Sequence, residues 1–174
     1  VAIKSLNLVI DADIARSSGL SEHPVSSGAR KLLDLVKTTG HCVVMCPILR
    51  AEWNKHQSIY AQKWFASMIA KKKVKFITHE SKVKQFIEEN VSDEKLREIA
   101  SKDSHLVDAA LLEDKFIASN DCRARNAFCE ISVQHKILED LVWLHSCSDY
   151  DFIEKYLSKS CFIPQEKFLK KLEN

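Results

Sequence analysis

Five short apolar runs, at residues 6–11, 41–46, 74–78, 115–119 and 141–145, alternate with longer stretches whose apolar residues recur at helical spacing. That alternation constrains the fold more than any other feature of the chain. A strand that is followed by a helix returns as a parallel neighbour, and the helix covers one face of the sheet. Right-handed crossovers then leave few arrangements. The expected fold class is α/β: a three-layer α/β/α sandwich around a parallel sheet of about five strands. Only three Gly and three Pro occur, which argues against a turn-rich all-β fold. With 174 residues, 45% of them apolar, the chain is expected to form one domain, 1–174, with a core over about 6–145 and a C-terminal helical extension over about 149–172.

The helices can be placed from their signals. Ser26 or Ser27 is expected to cap a helix over 28–38, with Gly40 just beyond its end. Pro47 suits the first turn of a long helix running to about Lys72. Charged helices over 80–90 and from Ser92 onward have few apolar anchors and read as an excursion, either a clamp over substrate or a dimer surface. Leu106, Val107, Ala110 and Leu111 form the stripe of a helix over 103–113, with Asp103 in its first turn, where a carboxylate suits the helix dipole. Residues 149–157 and 164–172 read as C-terminal helices.

Acids fall at related places in this pattern. Asp11 and Asp13 end the first run, Glu52 lies within two turns of Pro47, Asp103 opens a helix, and Asp121 follows the fourth run. In open parallel sheets, ligands bind beyond the C-terminal ends of the strands. Two carboxylates ~4 Å apart repel by about 4 kcal/mol at an effective dielectric near 20, and a divalent cation relieves this. All-oxygen ligands select Mg²⁺ or Mn²⁺, as one ion or two. The reaction expected of such a site is phosphodiester hydrolysis, and Arg16, Arg50, Arg123 and Arg125 stand within a few residues of an acid, where they could hold phosphates. Asn120 is a further candidate for substrate contact. Asp108 lies five positions, about 140° of helix, from Asp103, so the two do not grip one ion; with His105 on its face, its expected role is behind the ligands or in an ion pair. Each acid also has an ordinary alternative: a turn for Asp11, a surface position for Glu52, a helix start for Asp103, an Asx turn for Asp121, a cap for Asp13. His56 reads as structural.

Val9-Ile10-Asp11-Ala12-Asp13, Leu49-Arg50-Ala51-Glu52, Asp103 through Leu112 and Ser119-Asn120-Asp121 occur in the order found in PIN-domain nucleases. Over roughly residues 6–145 the chain resembles that family, especially the VapC-type ribonuclease toxins of toxin–antitoxin pairs. The resemblance implies strand order 3-2-1-4-5, which makes strands 1 and 4 neighbours and brings Asp11 and Asp121 together. It also implies metal-binding catalytic acids at Asp11, Glu52, Asp103 and Asp121, Mg²⁺ or Mn²⁺ as cofactor, RNA as substrate, a 5′-phosphate on the product, and a small antitoxin partner. Asp13 and Asp108 depart from the family's usual small residues and leave the ligand count open.

Two other readings stay open. Asp11-Ala12-Asp13 resembles the nucleophile and acid of haloacid-dehalogenase-type phosphatases, although Ile14 replaces the usual Thr or Val and Glu52 has no role there. A catalytically silent PIN fold that binds RNA or protein is the other. The charge balance, 26 basic against 24 acidic residues, is not a nucleic-acid footprint in itself. Six Cys without a Cys-x-x-Cys pair, no signal peptide and no apolar run near the ~20 residues of a membrane span lead to the expectation of a cytoplasmic chain with free thiols, monomeric or homodimeric.

Overall fold

In the computed structural model, which describes residues 4–171, the runs become β1 (Asn7–Ile10), β2 (Cys42–Met45), β3 (Val74–Phe76), β4 (Phe116–Ala118) and β5 (Val142–Leu144). All are parallel, in the order β3-β2-β1-β4-β5. Leu8, Val9 and Ile10 in β1 and Val43 and Val44 in β2 are fully buried, as central strands covered on both faces must be. β3, on the edge, is largely exposed beyond Val74.

The connections are α1 (Ala12–Ser17), α2 (Pro24–Thr39), α3 (Pro47–His56), α4 (Ile59–Ala70), α5 (Lys82–Asn90), α6 (Glu94–Leu111) and α7 (Cys122–Ser132), with α8 (Tyr150–Lys159) after β5. From β1 the chain steps outward through β2 to β3, then returns past β1 to β4 and β5. Right-handed crossovers therefore put the helices of the two halves on opposite faces. The packing agrees: α2 meets α1, α4 and α8, whereas α6 meets α5, α7, β1 and β4. The result is a three-layer α/β/α sandwich whose chain reverses direction between β1 and β4.

Four local expectations are corrected. The helix read over residues 47–72 is two helices. Gln57 turns to extended backbone (φ −61°, ψ 140°), and Ser58 caps α4 by accepting the Ala61 amide at 3.1 Å. The Ser58 amide donates to the Ala15 carbonyl at 3.0 Å, so the break is tied to α1. The helix read over 103–113 is the second half of α6, which starts nine residues earlier on an Asp93 cap; the second helix of the expected excursion and the central helix are one rod, and only α5 is a separate helix. α2 begins at Pro24, in the favoured first position, with the His23 ring accepting the Val25 amide at 3.3 Å; neither Ser26 nor Ser27 caps it. Gly40 ends it in the left-handed conformation (φ 77°), where glycine carries no side-chain penalty. The C-terminal helix over 164–172 is instead a 3₁₀ turn (Gln165–Lys167), after which Phe168 bridges Val142 antiparallel and the Leu169 amide donates to the Leu141 carbonyl at 2.8 Å; Leu172 lies outside the described residues.

Two contacts fix the site's surroundings. Trp53 of α3 is fully buried, and its indole N–H donates to the Ile10 carbonyl at 3.0 Å, pinning α3 to the end of β1. Gly28 of α2 lets the loop after β5 approach: a Cβ there would sit 3.0 Å from the Ser146 carbonyl oxygen. Among the described residues no helix is long and apolar enough to cross a membrane.

Candidate functional site

β1 and β4 end side by side. The Asp11 amide donates to the Ala118 carbonyl at 2.9 Å and extends the ladder one step past Ile10↔Ala118. This puts Asp11 beside Ser119, whose hydroxyl donates to Asp11 Oδ2 at 2.7 Å. Asp11 is also the N-cap of α1 and accepts the Asp13 amide through Oδ1 at 3.4 Å. Asp13 reaches across the same gap, accepting the Asn120 amide on Oδ2 at 2.8 Å, while its Oδ1 is buried without a partner. Asp121 caps α7, its Oδ1 accepting the Arg123 and Ala124 amides at 2.9 Å each. Three acids thus stand at the point where the chain reverses direction, where parallel sheets open a crevice.

α3 and α6 bring the others. Trp53 holds α3 against β1, and the adjacent Glu52 faces the opening. Its Oε2 lies 3.0 Å from His105 Nε2, while His105 Nδ1 lies 3.1 Å from the Lys102 carbonyl. Both neighbours of the ring are acceptors, so the imidazolium satisfies both. Burial works against that charge, but the hydrogen bond and charge of Glu52, with Asp103 and Asp11, outweigh it and raise the His105 pKa. Asp103 completes the set from the interior of α6, half-buried. The expectation that it sits in a first turn is corrected: it lies about two and a half turns inside an 18-residue helix, where the N-terminal dipole does not reach it.

Asp11, Asp13, Glu52, Asp103 and Asp121 line one cleft of about 540 Å³, together with Arg16, His56, Asn120 and Arg123. Crowding and burial perturb the acids. Burial pushes Asp13 up to about 8, with the charges of Asp11 and Asp121 adding to it and the Asn120 and Ile14 amides opposing. Burial, then Asp11, Asp121 and Glu52, carry Asp103 to about 7 against the pull of His105. Asp11, 7% exposed, is raised by burial, although Ser119 and the Asp13 amide pull it down. Comparisons with family models, curated proteins and solved structures return no match.

The donor chemistry of this cleft suits a hard divalent cation: its acids are all oxygen donors, three have raised pKa values that a cation would reverse, and Asp13 Oδ1 lacks a partner. As they stand, no three His, Cys, Asp or Glu side chains among the described residues are arranged to hold a metal ion. Carboxylate rotations inside the cleft would have to close the shell.

Three sequence candidates lie elsewhere. Arg50 precedes Glu52 by two positions, about 200° of helix. Its guanidinium stacks 4.1 Å from the centre of the Phe65 ring, and it lines a separate cavity with Met45 and Phe76. Arg125 is likewise turned away from Arg123: its Nε donates to the Trp143 carbonyl at 3.4 Å and one terminal nitrogen to the Glu166 carbonyl at 2.6 Å, tying down the C-terminal segment. Asp108 does not stand behind the cleft acids. It accepts the Val83 amide at 3.1 Å and serves as the cap of α5, whose own N-cap Ser81 makes no side-chain bond. Asn120 lines the cleft and also organises it, with Oδ1 accepting the Ser146 amide and hydroxyl at 2.8 and 2.9 Å.

Two residues gained importance only from the structure. Ser119 is the partner of Asp11; its place one step beyond β4, opposite the acid that ends β1, was the available signal. His56 lines the cleft one helical turn beyond Glu52, a spacing visible in the sequence but read there as structural.

Proposed function

We propose that this chain is a metal-dependent endoribonuclease of PIN type that hydrolyses RNA phosphodiester bonds in the acidic cleft. The single observation that carries the reading is convergence: five carboxylates from four separated segments line one cleft at the C-terminal edge of the sheet, flanked by the exposed Arg16 and Arg123. Asp11, Glu52, Asp103 and Asp121, with Asp13 beside them, would hold one or two Mg²⁺ or Mn²⁺ ions. When bound, such an ion polarises a phosphoryl oxygen and lowers the pKa of water. The chain's own residues do the rest. Ser119 orients the Asp11 carboxylate, His105 holds Glu52 towards the cleft, and Arg16 and Arg123, which line the cleft, offer planar donors to substrate phosphates. A toxin role, with a small antitoxin covering the cleft, is the biological setting that this reading favours.

A silent RNA- or protein-binding module is the second reading, supported by the open spacing of the acids and by the capping roles of Asp11 and Asp121. A phosphoryl-aspartate route is less well served, since it needs an open nucleophile and Asp11 is 7% exposed. The deciding experiment incubates the purified protein with a mixed-sequence RNA and Mg²⁺ or Mn²⁺. Cleavage to 5′-phosphate ends that EDTA abolishes is expected; ion binding with no cleavage of any RNA supports the silent module, and a trapped phosphoryl-aspartate supports the phosphatase.

A further inference from the structure

A second cavity, of about 660 Å³, lies away from the acidic cleft. Val83 and Phe86 of α5, Asp108 and Leu112 at the end of α6, and His135 and Ile137 after α7 form its walls. Its size falls within the roughly 300–1,000 Å³ of small-ligand sites. At its wall stands Asp108, 6% exposed, with Oδ1 bonded to the Val83 amide and Oδ2 buried without a partner. A buried carboxylate oxygen in that state is stabilised by any donor that reaches it, most of all a cationic one. The same cavity is lined by an aromatic pair: the Phe86 and His135 rings stack with centroids 4.0 Å apart and 13° between planes. Burial pulls the His135 pKa down, so this pair is a neutral aromatic surface rather than a cation. The remaining charges at the rim favour the same ligand. Glu80 and Glu89 are acids, and Lys82 is 3.4 Å from Glu80. An anion would meet Asp108, Glu80 and Glu89, with Lys82 beside Glu80 and His79 Nδ1 3.1 Å from the Glu80 carbonyl, and a purely apolar molecule leaves Asp108 unsatisfied.

We propose that this cavity binds a small aromatic amine, its ammonium group at Asp108 and its ring against the Phe86–His135 stack and Leu112. The site is separate from the nuclease reading, and neither RNA nor a divalent ion enters its test. Amide spectra of the isotope-labelled protein are followed during titration with 2-naphthylmethylamine, 2-naphthylmethanol and 2-naphthoate. The amine is expected to shift the amides of Val83, Phe86 and Leu112 and to bind about tenfold tighter than the alcohol, with no shifts from the naphthoate. Asp108→Asn keeps an acceptor for the Val83 amide, so α5 stays capped, and the amine's advantage over the alcohol should fall to within about twofold. Leu112→Trp, at an exposed rim position, should weaken both neutral and cationic probes while leaving the melting temperature unchanged. Equal binding of amine and alcohol to the parent protein, an amine preference that survives Asp108→Asn, or shifts confined to Asp11 and Asp121 would each overturn the assignment.

Discussion

Ser119 Oγ donates to Asp11 Oδ2 at 2.7 Å across the seam between β1 and β4, and this bond opposes the burial that raises the Asp11 pKa. A serine is thereby assigned to keep the most buried cleft acid ionisable. Replacing it with alanine should raise the Asp11 pKa further. Hydrogen bonds to charged groups contribute about 1.5–3 kcal/mol, so Ser119→Ala should lower stability by that order at pH 9 and by less at pH 5. Mn²⁺ affinity should fall as well. Thermal melts at both pH values and a Mn²⁺ titration check this; an unchanged melt at pH 9 would show that the bond is immaterial.

The cleft acids make a specific claim about pH. Asp103 and Asp13 have folded pKa values of about 7 and about 8, against 3.8 in the unfolded chain, and Asp11 and His105 are raised as well. A raised folded pKa means that the native state holds its proton longer than the unfolded state. The associated stability is complete below pH 4 and is lost as pH rises through 7 to 8. All four groups share that sign. In EDTA the melting temperature should therefore fall between pH 5 and pH 8.5, and excess Mg²⁺ should flatten the slope by occupying the cleft. A slope unaffected by Mg²⁺ would contradict the metal-site reading.

Asp103→Asn tests one acid directly. It removes a charge that burial and the charges of Asp11, Asp121 and Glu52 all disfavour. In EDTA at pH 8.5 the variant should melt higher than the parent, by the equivalent of about 1–4 kcal/mol. The parent should gain about 2.7 kcal/mol at a hundredfold excess of Mg²⁺ over its dissociation constant, and the variant much less, without RNA cleavage. Because Asp103 lies inside α6, loss of a helix-start contact cannot account for a change.

The two arginines of α7 should separate cleanly. Arg123 lines the cleft, and Arg123→Ala should weaken RNA binding and reduce the salt slope by about one counterion. Arg125 donates to the Trp143 and Glu166 carbonyls, so Arg125→Ala should leave the slope alone and cost about 1–2 kcal/mol of stability. Filter binding at several salt concentrations and a chemical denaturation series distinguish them; a salt-slope change from Arg125→Ala would reverse the assignment.

The strands were legible because each is a dense apolar run; right-handed crossovers only narrowed their order, and the order itself was implied by the family resemblance. The acids that line the cleft were legible because they end strands or face the sheet's C-terminal edge. Helix boundaries were harder. Ser58 carries the capping chemistry that divides residues 47–72, but the apolar spacing continues through it, and only its bond to Ala15 shows why the break occurs there. The C-terminal segment kept a helical composition yet is held as a single 3₁₀ turn by Arg125 and then as a one-residue bridge at the edge of β5. Arg50 and Asp108 were near acids in sequence but stand two residues from Glu52 and five from Asp103, spacings that point a helical side chain elsewhere; Arg125 is four residues from Asp121 and is drawn off instead by its bonds to the Trp143 and Glu166 carbonyls.

Asp11 and Asp121 each begin a helix with the same carboxylate that faces the cleft, whereas Asp103 begins none. This divides the acids by how they can be lost during descent. On the proposed nuclease reading, a lineage that abandoned catalysis would still be penalised by roughly 1 kcal/mol for discarding either cap, so those two aspartates would persist long after any chemistry had ceased. Asp103, destabilising without a bound cation, would be freed at once and drift towards asparagine, serine or an apolar residue. Its presence among descendants therefore dates the retention of chemistry better than the two acids that look most central.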